Sequence, residues 1–310
     1  MIVASLALVF ALYIYPRMIN NGWAAFMKLK GRAPDCSWGQ IAFYYDSLIN
    51  FAEIEERYSK SVTVKDYERI YDVELISIKG LSFWIKRSGQ RPGTELIAYL
   101  HAEHEWMGSQ NPLQVVNKGE VVIDCGTHVG VFTHNALERD AKRVISIEPE
   151  PTNLECLRRN FAAEIQSGRV TIVPKGVWNS EGSLELTVNS DNSGTPSMVR
   201  KQPGYVITVV TTLIDKLVRE LDLGQVDYIK MDIEGAEREA LLGARETLIK
   251  YHPTLMIDSY HLPDDMSVLP KIVRQINSEY SMICGPCQRR DDSSNDIIPH
   301  VIYFQFNRKR

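Results

Sequence analysis

Two glycines lie in a short loop that follows a hydrophobic run of the sequence. Residues 121–130 read VVIDCGTHVG, with Gly126 and Gly130 in the loop. Glycine allows the backbone to turn sharply and lets a ligand approach closely, and the helix predicted from about 131 offers free N–H groups. Glu148 ends the next hydrophobic run, where its carboxylate could accept hydrogen bonds from both hydroxyls of a ribose. This arrangement predicts a site for a nucleoside-bearing cofactor.

The spacing within the loop distinguishes between nucleoside cofactors. A dinucleotide requires G-x-G-x-x-G, in which the second glycine makes room for a pyrophosphate, whereas this loop reads G-x-x-x-G with Thr127 and His128 in that space. S-adenosylmethionine carries a ribose for Glu148, an amino-acid end that Asp124 and the loop amides could hold, and no phosphate. We therefore predict S-adenosylmethionine as the cofactor. The predicted cofactor-binding residues are Asp124, Gly126, Thr127, His128, Gly130, Glu148 and Pro149.

Three side chains that could take up a proton follow two later hydrophobic runs. Asp232 ends the run VDYIKMD and Glu234 follows it, while His261 follows TLMID. Since ligands bind at the carboxyl ends of parallel strands, we predict Asp232, Glu234 and His261 as catalytic residues. The simpler alternatives are a structural Glu234 and a His261 that only bonds backbone. Asp232 with Asp258 could hold a hard cation, but the spacing demands none, and we predict no metal.

A parallel sheet is needed to bring these residues together. From residue 118 onward, hydrophobic runs alternate with helical patterns, which is typical of a doubly wound α/β fold. We predict a Rossmann-like seven-stranded sheet over 118–310, mostly parallel with an antiparallel last strand. Residues 28–117 are predicted to form a helical and hairpin attachment, with the hairpin around Gly80. The predicted strands are 121–125, 143–148, 170–177, 226–232, 254–258, 280–284 and 301–306.

Four motifs together resemble one enzyme family. They are DCGTHVGVFT, VISIEPEPTNLECLRRNF, GVWNSEGSLEL, and VDYIKMDIEGAEREALLGA followed by HPTLMID. With these motifs, residues 119–260 resemble the FkbM-type family of S-adenosylmethionine-dependent methyltransferases, and D-x-E-G-x-E is the most specific match. The resemblance implies methyl transfer to a hydroxyl, with S-adenosylhomocysteine as product. The matching motif positions are Asp124, Gly126, Gly130, Glu148, Asp232, Glu234, Gly235 and Glu237.

The sequence departs from the family pattern at two places. The loop usually reads D-x-G-A-N-x-G, so His128 stands where relatives have asparagine and is either a cofactor contact or a solvated loop residue. The segment that resembles T-L-D-D-L-L reads TLIDKL, with Ile214 in place of an acid. Asp215 is then the candidate for the role of that acid.

No motif in the sequence identifies the methyl acceptor. We predict a hydroxyl on a small-molecule, glycan or lipid-linked acceptor, in a pocket built from the N-terminal attachment and the insert at 189–205. Two alternatives remain, a non-catalytic membrane-anchored S-adenosylmethionine-binding protein and an NAD-dependent oxidoreductase, and the missing G-x-G-x-x-G argues against the second. A net charge of −4 gives no reason to expect a nucleic-acid partner.

The N-terminal segment is unusually apolar. The stretch IVASLALVFALYIY carries no charge over 2–15, which is shorter than the roughly 20 residues of a transmembrane helix. Basic residues follow it, among them Arg17 and Lys28. We predict that residues 1–27 form a membrane anchor or span, with the catalytic domain facing the cytoplasm by the positive-inside rule. A buried helix is the alternative.

The cysteines and the remaining histidines are predicted to be structural. Five cysteines are scattered along the chain, which predicts no disulfide framework and a reducing compartment. The motif CGPC at 284–287 is predicted to be a Gly-Pro turn rather than a redox or zinc site, because a polar loop follows it and no second C-x-x-C exists. His101 and His104, three residues apart, are predicted to share a partly exposed helix face, and His134 is predicted to be structural.

Overall fold

Helices and a small antiparallel sheet make up the N-terminal part of the protein. The structure is a computed structural model, which describes residues 10–87, 92–111, 113, 115–189, 191–290 and 294–306. A π-helical turn (Phe10–Ile14) leads into three helices, which are α1 (Tyr15–Leu29), α2 (Trp38–Ala42) and α3 (Tyr44–Ser59). An antiparallel meander follows, made of β1 (Thr63–Glu68), β2 (Val73–Ile78) and β3 (Leu81–Lys86), and then α4 (Gly93–Gln110). The predicted helices and hairpin are present, and β1 is an additional strand.

Alternating strands and helices follow from residue 121. The first half contains β4 (Val121–Cys125), α5 (Val131–Glu138), β5 (Arg143–Ile147), α6 (Pro151–Asn160), α7 (Ala162–Gln166), β6 (Val170–Val173), β7 (Gly176–Val177), β8 (Gly182–Val188) and β9 (Tyr205–Thr212). The second half contains α8 (Ile214–Glu220), β10 (Tyr228–Met231), α9 (Glu237–Leu242), α10 (Arg245–Tyr251), β11 (Thr254–Asp258), α11 (Asp265–Ile276), β12 (Tyr280–Cys284), β13 (Cys287–Arg289), β14 (Ile297–Pro299) and β15 (Val301–Phe306).

Seven of these strands form the central sheet in the order β12-β15-β11-β10-β4-β5-β6. The pairs β11–β10, β10–β4, β4–β5 and β5–β6 are parallel, while β15 runs antiparallel to both β11 and β12. The predicted Rossmann-like sheet with an antiparallel last strand is confirmed. Because β4, β5, β10 and β11 are parallel neighbours, their carboxyl ends lie along one edge of the sheet.

One strand differs in detail from the prediction. The run at 170–177 is two strands, because β7 leaves the central sheet and pairs with β9 in a sheet of order β7-β9-β8. Helices α9 and α10 are separated at Gly243 and Ala244. A Cβ at Gly243 would collide with the carbonyl oxygen of Trp178, and the Gly243 carbonyl accepts a hydrogen bond from the Asp215 amide at 2.9 Å. The chain therefore breaks the helix where it meets a neighbouring loop.

Both faces of the sheet are buried, and side chains alternate between two cores as expected for strands. Ile123 of β4 packs with α8, α9, α10 and α11 on one face. Val122 packs on the other face with α5 and α6, and also with Trp106 of α4 and Ile54 of α3. The N-terminal helices thus share a core with the sheet, which holds them beside the edge where the predicted site residues lie.

The prediction of a membrane-associated, cytoplasm-facing protein is wrong for the part of the chain that the structure describes. In that part, no helix combines the length and the apolar character needed to cross a membrane. Helix α1 instead uses one side to pack, with Ala24 fully buried, and Arg17 forms an ion pair with Asp46 of α3. Residues 1–9 of the predicted anchor lie outside the described residues.

A disulfide joins Cys36 and Cys287, although the sequence predicted no disulfide framework and a reducing compartment. The two cysteines are 251 residues apart, so no local pattern connects them. The bond attaches the loop before α2 to β13, and its presence removes the argument for a reducing compartment, since disulfides persist in oxidising ones. In the CGPC motif, Gly285 and Pro286 connect β12 to β13, and Cys284 remains a thiol.

Candidate functional site

The loop after β4 is fixed by close packing against the end of β10. Gly126 has a φ of +74°, and a Cβ there would collide with the carbonyl oxygen of Asp232. Gly130 has a φ of +97°, and a Cβ there would collide with the ring of Phe161. Both positions therefore require glycine for the approach of other protein atoms, and the loop in turn holds Asp232 close to it.

Asp124 lies beneath this loop. Its side chain is fully buried, Oδ2 accepts a hydrogen bond from the Thr133 hydroxyl at 2.8 Å, and Oδ1 lies 3.4 Å from Lys230 Nζ. Thr127 also faces inward and donates its hydroxyl to the Asp124 carbonyl at 2.8 Å. Asp124 and Thr127 thus stabilise the conformation of the loop through buried hydrogen bonds.

Lys230 connects the loop to the end of β10. Its ammonium donates to the Gly126 carbonyl at 2.8 Å and lies 3.8 Å from Asp232 Oδ2. Burial alone would lower the pKa of Lys230, but the carboxylates of Asp124 and Asp232 outweigh burial and raise that pKa. Lys230 is therefore a permanent cation within the site.

Glu148 lies at the carboxyl end of β5 and faces the loop. Its Oε2 accepts the backbone N–H of His128 at 2.9 Å, and its Oε1 accepts the backbone N–H of Glu150 at 2.9 Å. Burial raises the pKa of Glu148 to about 7. The two amides orient the carboxylate, and a carboxylate has further lone pairs for other donors.

His128 is placed between this carboxylate and the insert. Its backbone is left-handed with a φ of +52°, and its Nε2 lies 3.0 Å from the hydroxyl of Ser193. Burial lowers the pKa of His128 to about 3, so the ring is neutral at physiological pH. Its Nδ1 is buried without a hydrogen-bond partner among the described residues.

Four of the seven predicted cofactor residues meet at one cavity, and the other three do not. We call this cavity the first, and a second cavity adjoins it. Both are lined by Leu100, Gly126, His128 and Asp232. Thr127 lines only the second cavity, while Asp124 and Gly130 line neither of the two. The predicted residues at the first cavity are Gly126, His128, Glu148 and Pro149.

The predicted catalytic residues form a cluster beside the two cavities, where Asp232 lines both, Glu234 lines only the first and His261 lines neither. His261 Nε2 lies 3.5 Å from Asp232 Oδ1 and 3.7 Å from Glu234 Oε2. On the other side of the ring, Nδ1 lies 2.9 Å from Oε1 of the buried Glu237. Burial favours a neutral ring, but the Glu237 carboxylate outweighs burial and raises the pKa of His261 to about 9. Asp232 is the most accessible of these carboxylates, with 29% of its side chain exposed.

Glu234 has partners of its own. Its backbone is left-handed with a φ of +57°, its carbonyl accepts the Ser197 hydroxyl at 2.7 Å, and its carboxylate forms an ion pair with Arg200. Ser197 and Arg200 belong to the insert before β9. Glu234 therefore holds the insert against the site. A catalytic base would need a free carboxylate, whereas the carboxylate of Glu234 is engaged by Arg200.

Asp258 ends β11, next to β10 in the sheet. It is 3% exposed, and its Oδ1 has no hydrogen-bond partner among the described residues. Burial and the nearby Asp232 carboxylate raise the pKa of Asp258 well above its ordinary value. Glu103 and His300, which lie 3.0 Å apart, also act electrostatically on Asp258.

Sequence reasoning missed three charged or polar members of the site. Lys230 carried a signal, since a charged residue inside a hydrophobic strand must find a partner. His300 carried a similar signal at the start of the last hydrophobic run. Arg200 lies in an insert without periodicity, and nothing in the sequence indicated its contact with Glu234.

Other candidate residues have structural roles. His101 is buried and stacks on Tyr58, with the ring centroids 5.4 Å apart, so the predicted exposed helix face is wrong for it. His134 packs its ring against Phe83. Asp215 accepts the backbone N–H of Thr247 at 2.8 Å and so caps α10, which places it in the fold rather than at the cavities.

The family comparison covers the residues that carry these motifs. A family model described as the Methyltransferase FkbM domain matches residues 124–281, just over half of the chain. This range contains Asp232, Glu237, Asp258 and His261, and it begins at Asp124. The resemblance inferred from the sequence motifs is confirmed.

Individual relatives are similar over shorter stretches. Methyltransferase sdnD of Sordaria araneosa is 22% identical over 156 residues, 40% of this chain and 60% of that protein. Probable ribosomal RNA small subunit methyltransferase A of Methanospirillum hungatei is 44% identical over 55 residues, 18% of this chain and 21% of that protein. The crystal structure of methyltransferase FkbM from Methylobacillus flagellatus covers 86% of this chain and 61% of its own, with 17% identity and a TM-score of 0.46. Each match spans less than two thirds of the other protein.

Proposed function

Because this chain belongs to the FkbM methyltransferase family, we propose that it transfers a methyl group from S-adenosylmethionine to a hydroxyl of an acceptor molecule. The observation that supports the proposal is that the predicted cofactor and catalytic residues lie at the same edge of the sheet. There, Glu148 and the glycine loop line one cavity, and Asp232 lies where that cavity meets the second. A donor site and a proton-accepting group are thus neighbours.

The residues of the first cavity fit an adenosyl ligand. The Glu148 carboxylate can accept hydrogen bonds from ribose hydroxyls, and the unpaired Nδ1 of His128 can accept one more. The bulky Thr127 and His128 leave the loop without the central glycine that a pyrophosphate needs. Asp124 acts indirectly, by fixing the loop through Thr133 and Lys230.

The second cavity supplies what the acceptor hydroxyl needs. S-adenosylmethionine, when bound, supplies a methyl carbon activated by the adjoining sulfonium. The chain must then position the hydroxyl and receive its proton. Asp232 is exposed to the cavity, whereas His261 is held as a cation by Glu237 below a pH of about 9. Asp232 and His261 therefore bind the hydroxyl as a pair, and the Asp232 carboxylate receives the proton.

The acceptor is proposed to be a small molecule or a glycan or lipid-linked group bearing a hydroxyl. The second cavity is lined by Leu100 and Met107 of α4 as well as by Asp232 and Asp258. An acceptor would therefore meet apolar surface from the N-terminal helix and carboxylates from the sheet. Such a surface suits a molecule with an apolar body and a hydroxyl at one end.

Two measurements test the proposal. Calorimetric titration of the purified chain with S-adenosylhomocysteine and NAD should show binding of the first and none of the second, and the reverse result would refute the cofactor assignment. Methyl-labelled S-adenosylmethionine is then incubated with a metabolite extract and wild type or Asp232→Asn. Labelled products that require wild type and are absent with Asp232→Asn support methyl transfer at this edge.

A further inference from the structure

Three potential metal ligands converge at the acceptor side of the site. Asp232, Asp258 and His261 each offer a ligand atom, and these atoms lie within 4.8 Å of one another. Opposed ligand atoms around a small divalent cation are separated by about 4 to 4.5 Å, so small side-chain rotations would bring all three into contact with one ion. Their positions are set by the ends of β10 and β11, which are adjacent parallel strands.

Two of these ligand atoms are buried without a hydrogen bond. Asp258 and His261 are 3% and 6% exposed, and neither Asp258 Oδ1 nor His261 Nε2 has a hydrogen-bond partner among the described residues. An unsatisfied buried polar group costs about 1–3 kcal/mol. Because both side chains lie beside Asp232, one ligand between the three side chains could satisfy both atoms.

The second ring nitrogen of His261 contacts a carboxylate, as is common for histidines that bind metal ions. Nδ1 lies 2.9 Å from Oε1 of the buried Glu237, and the same oxygen accepts the Ile233 amide at 2.9 Å. A carboxylate on one ring nitrogen fixes the tautomer and leaves the other nitrogen for a metal. This contact is independent of the acidic cluster itself, because Glu237 lies behind the ring.

The permanent cations nearby are already engaged. Lys230 is shared between Asp124 and Asp232 at 3.4 and 3.8 Å, and Arg200 is paired with Glu234. Neither pairs with Asp258. An ion that binds between the three side chains would therefore be held by Asp232, Asp258 and His261 themselves, and its binding would release the protons that these groups carry.

We propose that Asp232, Asp258 and His261 bind one divalent cation of the first transition series beside the acceptor cavity. A set of two carboxylates and one imidazole suits Mn²⁺ or Zn²⁺ better than Mg²⁺. The role of the ion rests on the proposed function. When bound, the ion would displace the Nε2 proton of His261, bind the acceptor hydroxyl and lower the pKa of that hydroxyl, so that the O–H proton is lost to solvent. The oxygen's electron pair then forms the O–C bond as the C–S bond breaks toward sulfur.

The test measures metal binding without turnover. The full chain is treated with a chelator and titrated with Mn²⁺ by electron paramagnetic resonance, with Zn²⁺ as competitor. One ion should bind per chain, and Asp258→Asn should raise the Mn²⁺ dissociation constant at least tenfold. The matched control is Glu148→Gln, a carboxylate of the first cavity, which should leave the Mn²⁺ dissociation constant within twofold of wild type.

S-adenosylhomocysteine binding is measured on the same samples, so that the two proposals can fail separately. Asp258→Asn should retain S-adenosylhomocysteine affinity, which shows that it is folded, while Glu148→Gln should lose it at least tenfold. If wild type binds neither Mn²⁺ nor Zn²⁺, or if folded Asp258→Asn binds Mn²⁺ as wild type does, the metal site is refuted. If the metal binds as expected and S-adenosylhomocysteine does not, the metal site stands and the proposed cofactor is refuted.

Discussion

His261 and Glu237 form a buried pair, with His261 Nδ1 2.9 Å from Glu237 Oε1. The residues are 24 positions apart, one at the start of α9 and the other after β11. Because this contact uses Nδ1, it leaves Nε2 facing Asp232 at 3.5 Å. Glu237 is therefore a positioning residue, which acts on the site through the histidine ring.

Replacing Glu237 with glutamine should lower the pKa of His261. Glutamine keeps an acceptor for Nδ1–H but removes the charge that raises this pKa to about 9, and burial then favours the neutral ring. We expect a fall of more than one pH unit, measured by NMR of ¹⁵N-labelled imidazole in the presence of a chelator. The control is Glu239→Gln, whose carboxylate bonds Asn179 instead. A His261 pKa that is unchanged in Glu237→Gln would contradict this account.

Glu148 should make the protein less stable as the pH rises from about 4.5 to about 7. Burial raises the pKa of Glu148 from 4.5 to about 7, so the unfolded chain loses this proton first. The stability that the protonated form contributes is complete below 4.5 and is lost as the pH rises through 7. We expect Glu148→Gln to remove a pH-dependent contribution of up to about 3 kcal/mol to the free energy of unfolding. Urea denaturation at pH 4.5 and pH 8 measures this contribution.

The same carboxylate gives cofactor binding a pH dependence of opposite sign. In the proposed cofactor site, ionised Glu148 would accept hydrogen bonds from both ribose hydroxyls, whereas the protonated form loses one acceptor position. Affinity for S-adenosylhomocysteine should therefore rise as the pH increases through about 7, and the rise should be absent in Glu148→Gln. The control Glu164→Gln, at a half-buried carboxylate that lines neither cavity, should behave as wild type in both measurements. Equal affinities of wild type at pH 6 and pH 8 would argue against the ribose contact.

The pattern of hydrophobic runs was sufficient to predict the sheet. Each strand of the central sheet is a compact apolar run. Gly126 and Glu148 could be recognised as site residues because each directly follows such a run in the sequence. The roles of individual side chains depended on neighbours distant in sequence. The pairs Glu237–His261 and Glu234–Arg200 join separate elements, and periodicity carries no information about such pairs. The same holds for Cys36 and Cys287, which meet only because the N-terminal helices fold back on β13.

The disulfide should be detectable chemically. Of the five cysteines, three are thiols in the structure, Cys125, Cys156 and Cys284. Thiol titration of the denatured, unreduced protein should therefore give three reactive groups. Because the bond closes a loop of 251 residues, reduction should lower the free energy of unfolding by about 2–5 kcal/mol. Cys284→Ser should leave that effect of reduction unchanged, and five reactive thiols would contradict the assignment.

Lys230 should be the most costly single residue of the site to remove, since it is buried between two carboxylates. It lies 3.4 Å from Asp124 and 3.8 Å from Asp232, and Lys230→Met would leave the Asp124 charge buried without a cation. Breaking a buried ion pair from one side costs about 3–5 kcal/mol, which we expect in urea denaturation. The double variant Lys230→Met with Asp124→Asn removes both charges and should recover 1 kcal/mol or more, on the order expected for coupled neighbours. Exposed Lys250→Met serves as control. If the losses of Lys230→Met and Asp124→Asn are simply additive, the two residues are not coupled, and the loop would have to be held by Thr133 alone.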